Sequence, residues 1–195
     1  MVYKIKKTLS LLLFLILFIS LHGQSNSTST SENSKIKDKG ELVYAKRIGT
    51  DFPISNFTTI DGEVLSEAEL RGKVVFINFW FRACIPCIAE MKGLHLLFEK
   101  YNDNNIVFIM ITFDKPEVIR EIVKNYDLKY KMISLTQEEL ATWDLRFGYP
   151  SSFILDRDGN IVYAKMGGKF DVESATKEVL EYYGPVIESQ LNNKN

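Results

Sequence analysis

Two runs in this chain, VVFINFW at 74–80 and IVFIMITF at 106–113, are apolar on both of their alternating faces. A strand with one wet face alternates polar with apolar, so near-continuous apolarity marks strands covered from both sides. Between the runs the period changes. Ile88, Met91, Leu94, Phe98 and Tyr101 recur at three- and four-residue steps, which is helical, and NDNN at 102–105 ends the pattern. Two buried strands joined by a helix form a parallel pair with a crossover, and the sheet that holds them needs helices on both faces.

The other elements fit around that unit. FTTIDGEVL, Phe57 to Leu65, has two β-prone arms around Asp61-Gly62 and predicts a hairpin extension ahead of the first long strand. Ser66 and Glu69 have capping-box spacing for a short helix. Asp114 is placed to cap a helix over Glu117 to Tyr126, with Pro116 in its first turn. KMISL predicts a short strand, and Thr136 with Glu139 opens a capped helix through Trp143. Strands at Ser152–Asp156 and Ile161–Met166 are joined across Asp158-Gly159, and a last helix runs from after Asp171 to Tyr183, before Gly184-Pro185. The predicted class is α/β, a mixed sheet with helices on both faces and an N-terminal β-hairpin.

The front of the chain is different. Lys4, Lys6 and Lys7 precede thirteen residues, Leu9 to Leu21, that are apolar apart from Ser10 and Ser20. Crossing a bilayer takes about 20, so residues 1–23 read as a secretory signal or, with the same orientation, an uncleaved anchor. Residues 24–40, QSNSTSTSENSKIKDKG, have almost nothing to bury and read as a flexible polar linker. That leaves 41–195 as the folded domain, on the outer side of the cytoplasmic membrane or in a periplasm. Of 24 basic and 25 acidic residues, six and two lie in the first forty, so the domain carries a net charge of −5. It has no basic cluster, which argues against a nucleic-acid partner.

The chain has only two cysteines, Cys84 and Cys87, in FRACIPCIAE. They fall where the first buried strand turns into its helix, the end at which open α/β sheets build sites. Zinc needs about four ligands. The only histidines are His22 in the leader and His95, roughly 16 Å of helix rise beyond Cys84, so no metal is expected. As a structural staple the pair is weak, since a four-residue ring removes little unfolded-chain entropy. A switching dithiol fits. Residues i and i+3 at a helix start approach within disulfide range, and free backbone N–H groups with the helix dipole favour a thiolate at Cys84. Cys84 is then the exposed nucleophile and Cys87, one turn inside, the shielded resolving thiol. Ile85 and Pro86 make the adjoining surface apolar, and Pro86 stiffens the turn.

VVFINFWFRACIPCIAEM, followed by RFGYPSSFILDRDGNIVYAKMGG, resembles the TlpA/ResA-type thiol–disulfide oxidoreductases of the thioredoxin superfamily. The likeness extends from about Asp51 to Tyr183. It implies a thioredoxin-like fold and no cofactor beyond a redox-active Cys84–Cys87 disulfide. It also implies Cys84 as attacking and Cys87 as resolving cysteine, and a cis peptide at Tyr149-Pro150 facing the disulfide, with backbone beside it open to an extended substrate segment. Glu90 matches an acidic residue three positions after the second cysteine. The sequence leaves it between a proton-handling group beside Cys87 and a solvated, mostly exposed glutamate whose replacement leaves stability nearly unchanged. The resemblance further implies protein thiols or disulfides as substrates, such as cytochrome c haem-binding cysteines, and a membrane electron donor.

Several positions depart from the family pattern. Ala83 stands where Trp is frequent, Met91 where Pro is common, and Phe81, Arg82 and Tyr149 are bulkier than usual, predicting a more aromatic rim. Trp80, inside the buried-strand run, is expected in the core. Two other functions share the fold. A peroxiredoxin-type peroxidase places a proline seven and a Thr or Ser three residues before its reactive cysteine, positions held here by Ile77 and Phe81. A non-catalytic binding domain would have an incidental CxxC and a shielded, inert Cys84.

Overall fold

The computed structural model describes residues 44–53, 56–103, 105–142 and 148–193, so the leader, the linker and Trp143 lie outside the described residues. Residues 40–195 form one compact unit. In chain order the elements are β1 (Phe57–Thr58), β2 (Val64–Leu65), α1 (Glu67–Leu70), β3 (Val74–Phe79), α2 (Ile85–Tyr101) and β4 (Ile106–Thr112). They continue with α3 (Pro116–Tyr126), β5 (Lys131–Ser134), α4 (Gln137–Ala141), β6 (Ser151–Leu155), β7 (Ile161–Met166) and α5 (Val172–Asn192).

The main sheet has the order β5-β4-β3-β6-β7. β3 runs parallel to β4 and β4 to β5, whereas β6 is antiparallel to both β3 and β7. β3 and β4 are thus central, as their two-sided apolarity requires. Side-chain alternation along β3 divides the core. Val74, Phe76 and Trp80 join Leu94, Leu97, Ile119 and Tyr183 under α2, α3 and α5. Val75, Ile77 and Phe79 join Tyr44, Phe52, Leu70, Leu140 and Phe153 on the other side. The β1–β2 hairpin is tied to the sheet edge by a bridge from Thr59 to Ile133 and by the Ile60 N–H donating to the Met132 carbonyl at 2.9 Å. Both capping boxes form, at Ser66–Glu69 and Thr136–Glu139.

Two expectations are corrected. Asp114 does not cap α3; the N-cap is Lys115, which makes no side-chain cap bond. Asp114 turns back instead, accepting from the Arg82 N–H at 2.6 Å and the Thr112 hydroxyl at 3.1 Å. The last helix does not stop at Tyr183 but passes through Pro185 to Asn192. An internal proline costs about 3 kcal/mol. Against this, the extension buries Ile187 completely, and the Arg157 guanidinium bonds the terminal carbonyls of Gln190 at 2.6 Å and Asn193 at 2.7 Å.

α2 and α5 meet at Gly93, where a β-carbon would lie 2.9 Å from both Thr176 Cα and Val179 Cβ. Alanine normally gains about 1 kcal/mol over glycine inside a helix, but here it collides with backbone, and overpacking costs roughly 1–3 kcal/mol. Gly93→Ala should therefore lower the urea midpoint of unfolding. A raised midpoint would show that the helix contact yields.

Candidate active site

The end of β3 is fixed before the site begins. The Trp80 N–H donates to the Ile111 carbonyl at 3.0 Å, and the Arg82–Asp114 bond holds the following loop to the end of β4. Cys84 is then the N-cap of α2, with extended backbone, and its Sγ accepts from the Cys87 N–H at 3.3 Å. Pro86 lies in the first turn, where its missing N–H has no helical partner to lose. Cys84 and Cys87 are joined by a disulfide with Cα atoms 5.2 Å apart.

Cys84 is more covered than the sequence suggests, at 6% exposed against 0% for Cys87. An aromatic group packs, through Phe81 and Tyr149, against the cluster that includes both cysteines. Phe81 stacks on Phe113 with ring centres 5.2 Å apart and meets Tyr149 edge-on at 5.2 Å. Ile85 remains 65% exposed beside them. The Tyr149–Pro150 peptide is cis, and the Pro150 carbonyl accepts from Gly167 N–H at 2.7 Å. Trp80 is fully buried, and its indole N–H has no hydrogen-bond partner among the described residues.

Glu90 contradicts the exposed alternative outright: it is 3% exposed. It projects onto β3, where the Asn78 amide donates to its Oε1 at 2.8 Å and to the Ser152 hydroxyl at 3.0 Å. A β-carbon on Gly168 would lie 3.6 Å from Glu90 Oε2 and 3.3 Å from Pro150 Cγ. The carboxyl therefore sits between Asn78 of β3 and the Gly168 loop that lies against Pro150. Burial pushes its pKa up to about 8, against the opposing pull of the Asn78 hydrogen bond and the Lys165 charge. At neutral pH, with the disulfide formed, Glu90 is a neutral acid.

Asn78, Ser152 and Asp114 escape a reading of the sequence alone, because Asn78 is hidden inside an apolar strand and Asp114 has capping position. Among the described residues, no group of three or more His, Cys, Asp or Glu side chains is placed to hold a metal ion. Ile77 is buried in the core and Phe81 is in the aromatic stack, so neither position that a peroxidase fills with proline or a hydroxyl residue does so here.

A cysteine pair at a helix N-terminus, on a sheet of this order and in a chain with a cis-proline ahead of β6, defines a thioredoxin-fold disulfide-exchange protein. Residues 48–164 match the model of the AhpC/TSA family. The protein called thiol-disulfide oxidoreductase ResA from Bacillus cereus is 33% identical over 139 residues, 70% of this chain and 76% of that one. Its namesake from Halalkalibacterium halodurans is 28% identical over 128 residues, 65% and 71% of the two chains. A thiol:disulfide interchange protein from Chlorobium tepidum shares the fold with a TM-score of 0.57 at 21% identity, covering 73% of this chain and 97% of its own. The chain belongs to the AhpC/TSA family and, within it, to the ResA-type thiol–disulfide oxidoreductases. It is an enzyme of disulfide exchange.

The buried carboxyl has a consequence for stability. Its pKa rises from 4.5 to about 8 on folding, so between those values the folded chain binds more protons than the unfolded one and stability falls as pH rises. Below about 4.5 both states are protonated, and above about 8 both are ionised. Glu90→Gln lacks this dependence. Urea unfolding of the oxidised proteins should show the variant gaining on the wild type from about pH 5 to about pH 8, the window between the two pKa values. Parallel stability curves would show that Glu90 is ionised in the fold.

Proposed function

We propose that this enzyme acts outside the cytoplasm as a reductant of other proteins' disulfides, with Cys84 as nucleophile, Cys87 as resolving thiol and Glu90 as proton partner of Cys87. The observation that carries the assignment is the Cys84–Cys87 disulfide at the N-cap of α2 with a buried carboxyl one turn further on.

The Cys84 thiolate attacks one sulfur of a client disulfide. A mixed disulfide forms, and the client's other sulfur leaves as a thiolate that takes a proton. Cys87 gives its proton to the Glu90 carboxylate and attacks Cys84 Sγ. The second client thiolate leaves and is protonated, and the Cys84–Cys87 disulfide remains. Two electrons reach the client from the two cysteines, and its two protons come from solvent, because the proton of Cys87 stays on Glu90. The transfer to Glu90 is well matched, because its pKa of about 8 in the oxidised form lies close to the ordinary thiol value of about 8.5. The neutral Glu90 of the disulfide form is the product of that step.

Client binding falls to the surface around the disulfide. Exposed Ile85, with Pro86 and the half-buried Tyr149, offers apolar contact, and the backbone beside the buried cis Pro150 is where an extended client segment would pair. Export rests on the basic and apolar leader, Leu9 to Leu21, which also offers an anchor; among the described residues no helix is long and apolar enough to cross a membrane. A dithiol that reduces clients in an oxidising compartment needs a donor, and a membrane protein passing electrons outward is the class that fits a tethered domain. Oxidised haem-binding cysteines of an apocytochrome c are one client class consistent with this reading.

The roles are separable by trapping. Cys87→Ser, incubated with an oxidised protein, should accumulate a mixed disulfide through Cys84, whereas Cys84→Ser should not. Limited alkylation of the reduced enzyme should label Cys84 first. Labelling of Cys87 alone would reverse the assignment.

A further inference from the structure

The polar layer that holds Glu90 does not end at Ser152. In sheet register Asn78 of β3 pairs with Ser152 of β6, and Ser152 pairs with Lys165 of β7, so the three form one row under α2 and α5. At the far end Lys165 Nζ lies 2.7 Å from Glu178 Oε1 of α5 and donates to the Gly167 carbonyl at 2.7 Å. The Lys165 and Glu178 side chains are only 21% and 13% exposed. Every other ion pair among the described residues has a partner more than 40% exposed. Exposed pairs are worth little, and sheltering one costs desolvation. A sheltered pair one strand from a buried acid therefore calls for a reason beyond stability.

The surroundings of Glu90 supply it. Cys87 lies one turn before it on α2 and is held in the disulfide. Asn78 and Ser152 are neutral. Tyr130, ahead of β5, and Tyr183, on α5, face it as phenols that burial holds well above their ordinary range, so they stay uncharged. Lys165 and Glu178 are the charges that act on it, in opposite senses. Lys169 reaches only the outer oxygen of Glu178, at 3.5 Å. The same lysine also fixes the loop: its hold on Gly167 secures the segment whose Gly168 lies between Pro150 and Glu90 Oε2.

We propose that Lys165 and Glu178 are positioning residues for the Glu90 proton, a sheltered charge pair whose positive member favours the release of that proton and whose negative member favours its retention. The relevance to disulfide exchange rests on the reading of Glu90 as the proton partner of Cys87. Neither residue touches the reacting sulfurs. In the intact pair the two fields oppose each other, and the carboxyl stays poised near the thiol range.

The test is the infrared carbonyl band of the protonated carboxyl, followed against pH in the oxidised full-length protein. Lys165→Met should move the Glu90 midpoint up and Glu178→Gln should move it down. Each shift should be roughly half a pH unit or more, a threefold change in the ionisation constant. The double variant should return towards the wild type, and Lys165→Arg, which keeps the charge, should leave the midpoint near its original place. None of these shifts should appear in a Glu90→Gln background. Shifts of the same sign in both single variants, or shifts that survive in Glu90→Gln, would overturn the proposal. So would unchanged midpoints in variants that still unfold cooperatively. If the midpoints move as stated but Glu90→Gln leaves the pH profile of exchange unaltered, the charge pair stands and the proton-partner reading falls.

Discussion

A carboxyl buried one helical turn beyond Cys87, held by a hydrogen bond from Asn78, is the constraint around which the rest of this domain is arranged. Desolvation of an isolated carboxylate is costly enough that the group takes up a proton instead. The fold accepts that outcome and shapes it. Asn78 is the only polar side chain of β3, and it donates to Glu90 and Ser152 while its own carbonyl oxygen finds no partner among the described residues. An unmet buried acceptor costs roughly 1–3 kcal/mol. A polar position in the central strand therefore makes sense as site chemistry rather than as stabilisation.

The fold itself was largely legible. Near-continuous apolarity at 74–80 and 106–113 places β3 and β4 inside the sheet, and the change of period at Cys84 places the dithiol at a helix start. Two capping boxes and the Asp158-Gly159 turn are local signals that survive into the structure. Two local signals mislead because tertiary partners outbid them. Asp114 has the chemistry of a cap but bonds Arg82, and Pro185 looks like a stop but is bridged by Ile187 burial and Arg157.

The site was legible in its sulfurs and not in its acid. Spacing alone puts Glu90 on the stripe of Cys87, Met91 and Leu94, the buried face of α2. Its charge argues for solvent, and the sequence contains no local mark of the amide that receives it. That amide is twelve residues away on β3, and Ser152 and Lys165 reach the same row only through strand pairing across β6 and β7. Such a layer is a product of register and cannot be seen in any single segment.

The proposed direction of electron flow rests on what surrounds the nucleophile. A strongly stabilised thiolate favours the reduced enzyme and makes an oxidant; thioredoxin-fold dithiols span roughly −270 to −120 mV on that basis. Here Ile85 and Pro86 add neither donor nor charge between the cysteines. The neighbouring acid is neutral at pH 7 and becomes an opposing charge only above about 8. The first feature leaves the reduced form less stabilised at neutral pH, and the second adds to it only at higher pH, in keeping with the proposed reductant role. The measurement that bears most directly on this account is equilibration of the purified domain with glutathione redox buffers at neutral pH. A reduction potential well below about −150 mV is the result expected of a reductant, and a value near or above it would place the enzyme among the oxidants and contradict the account.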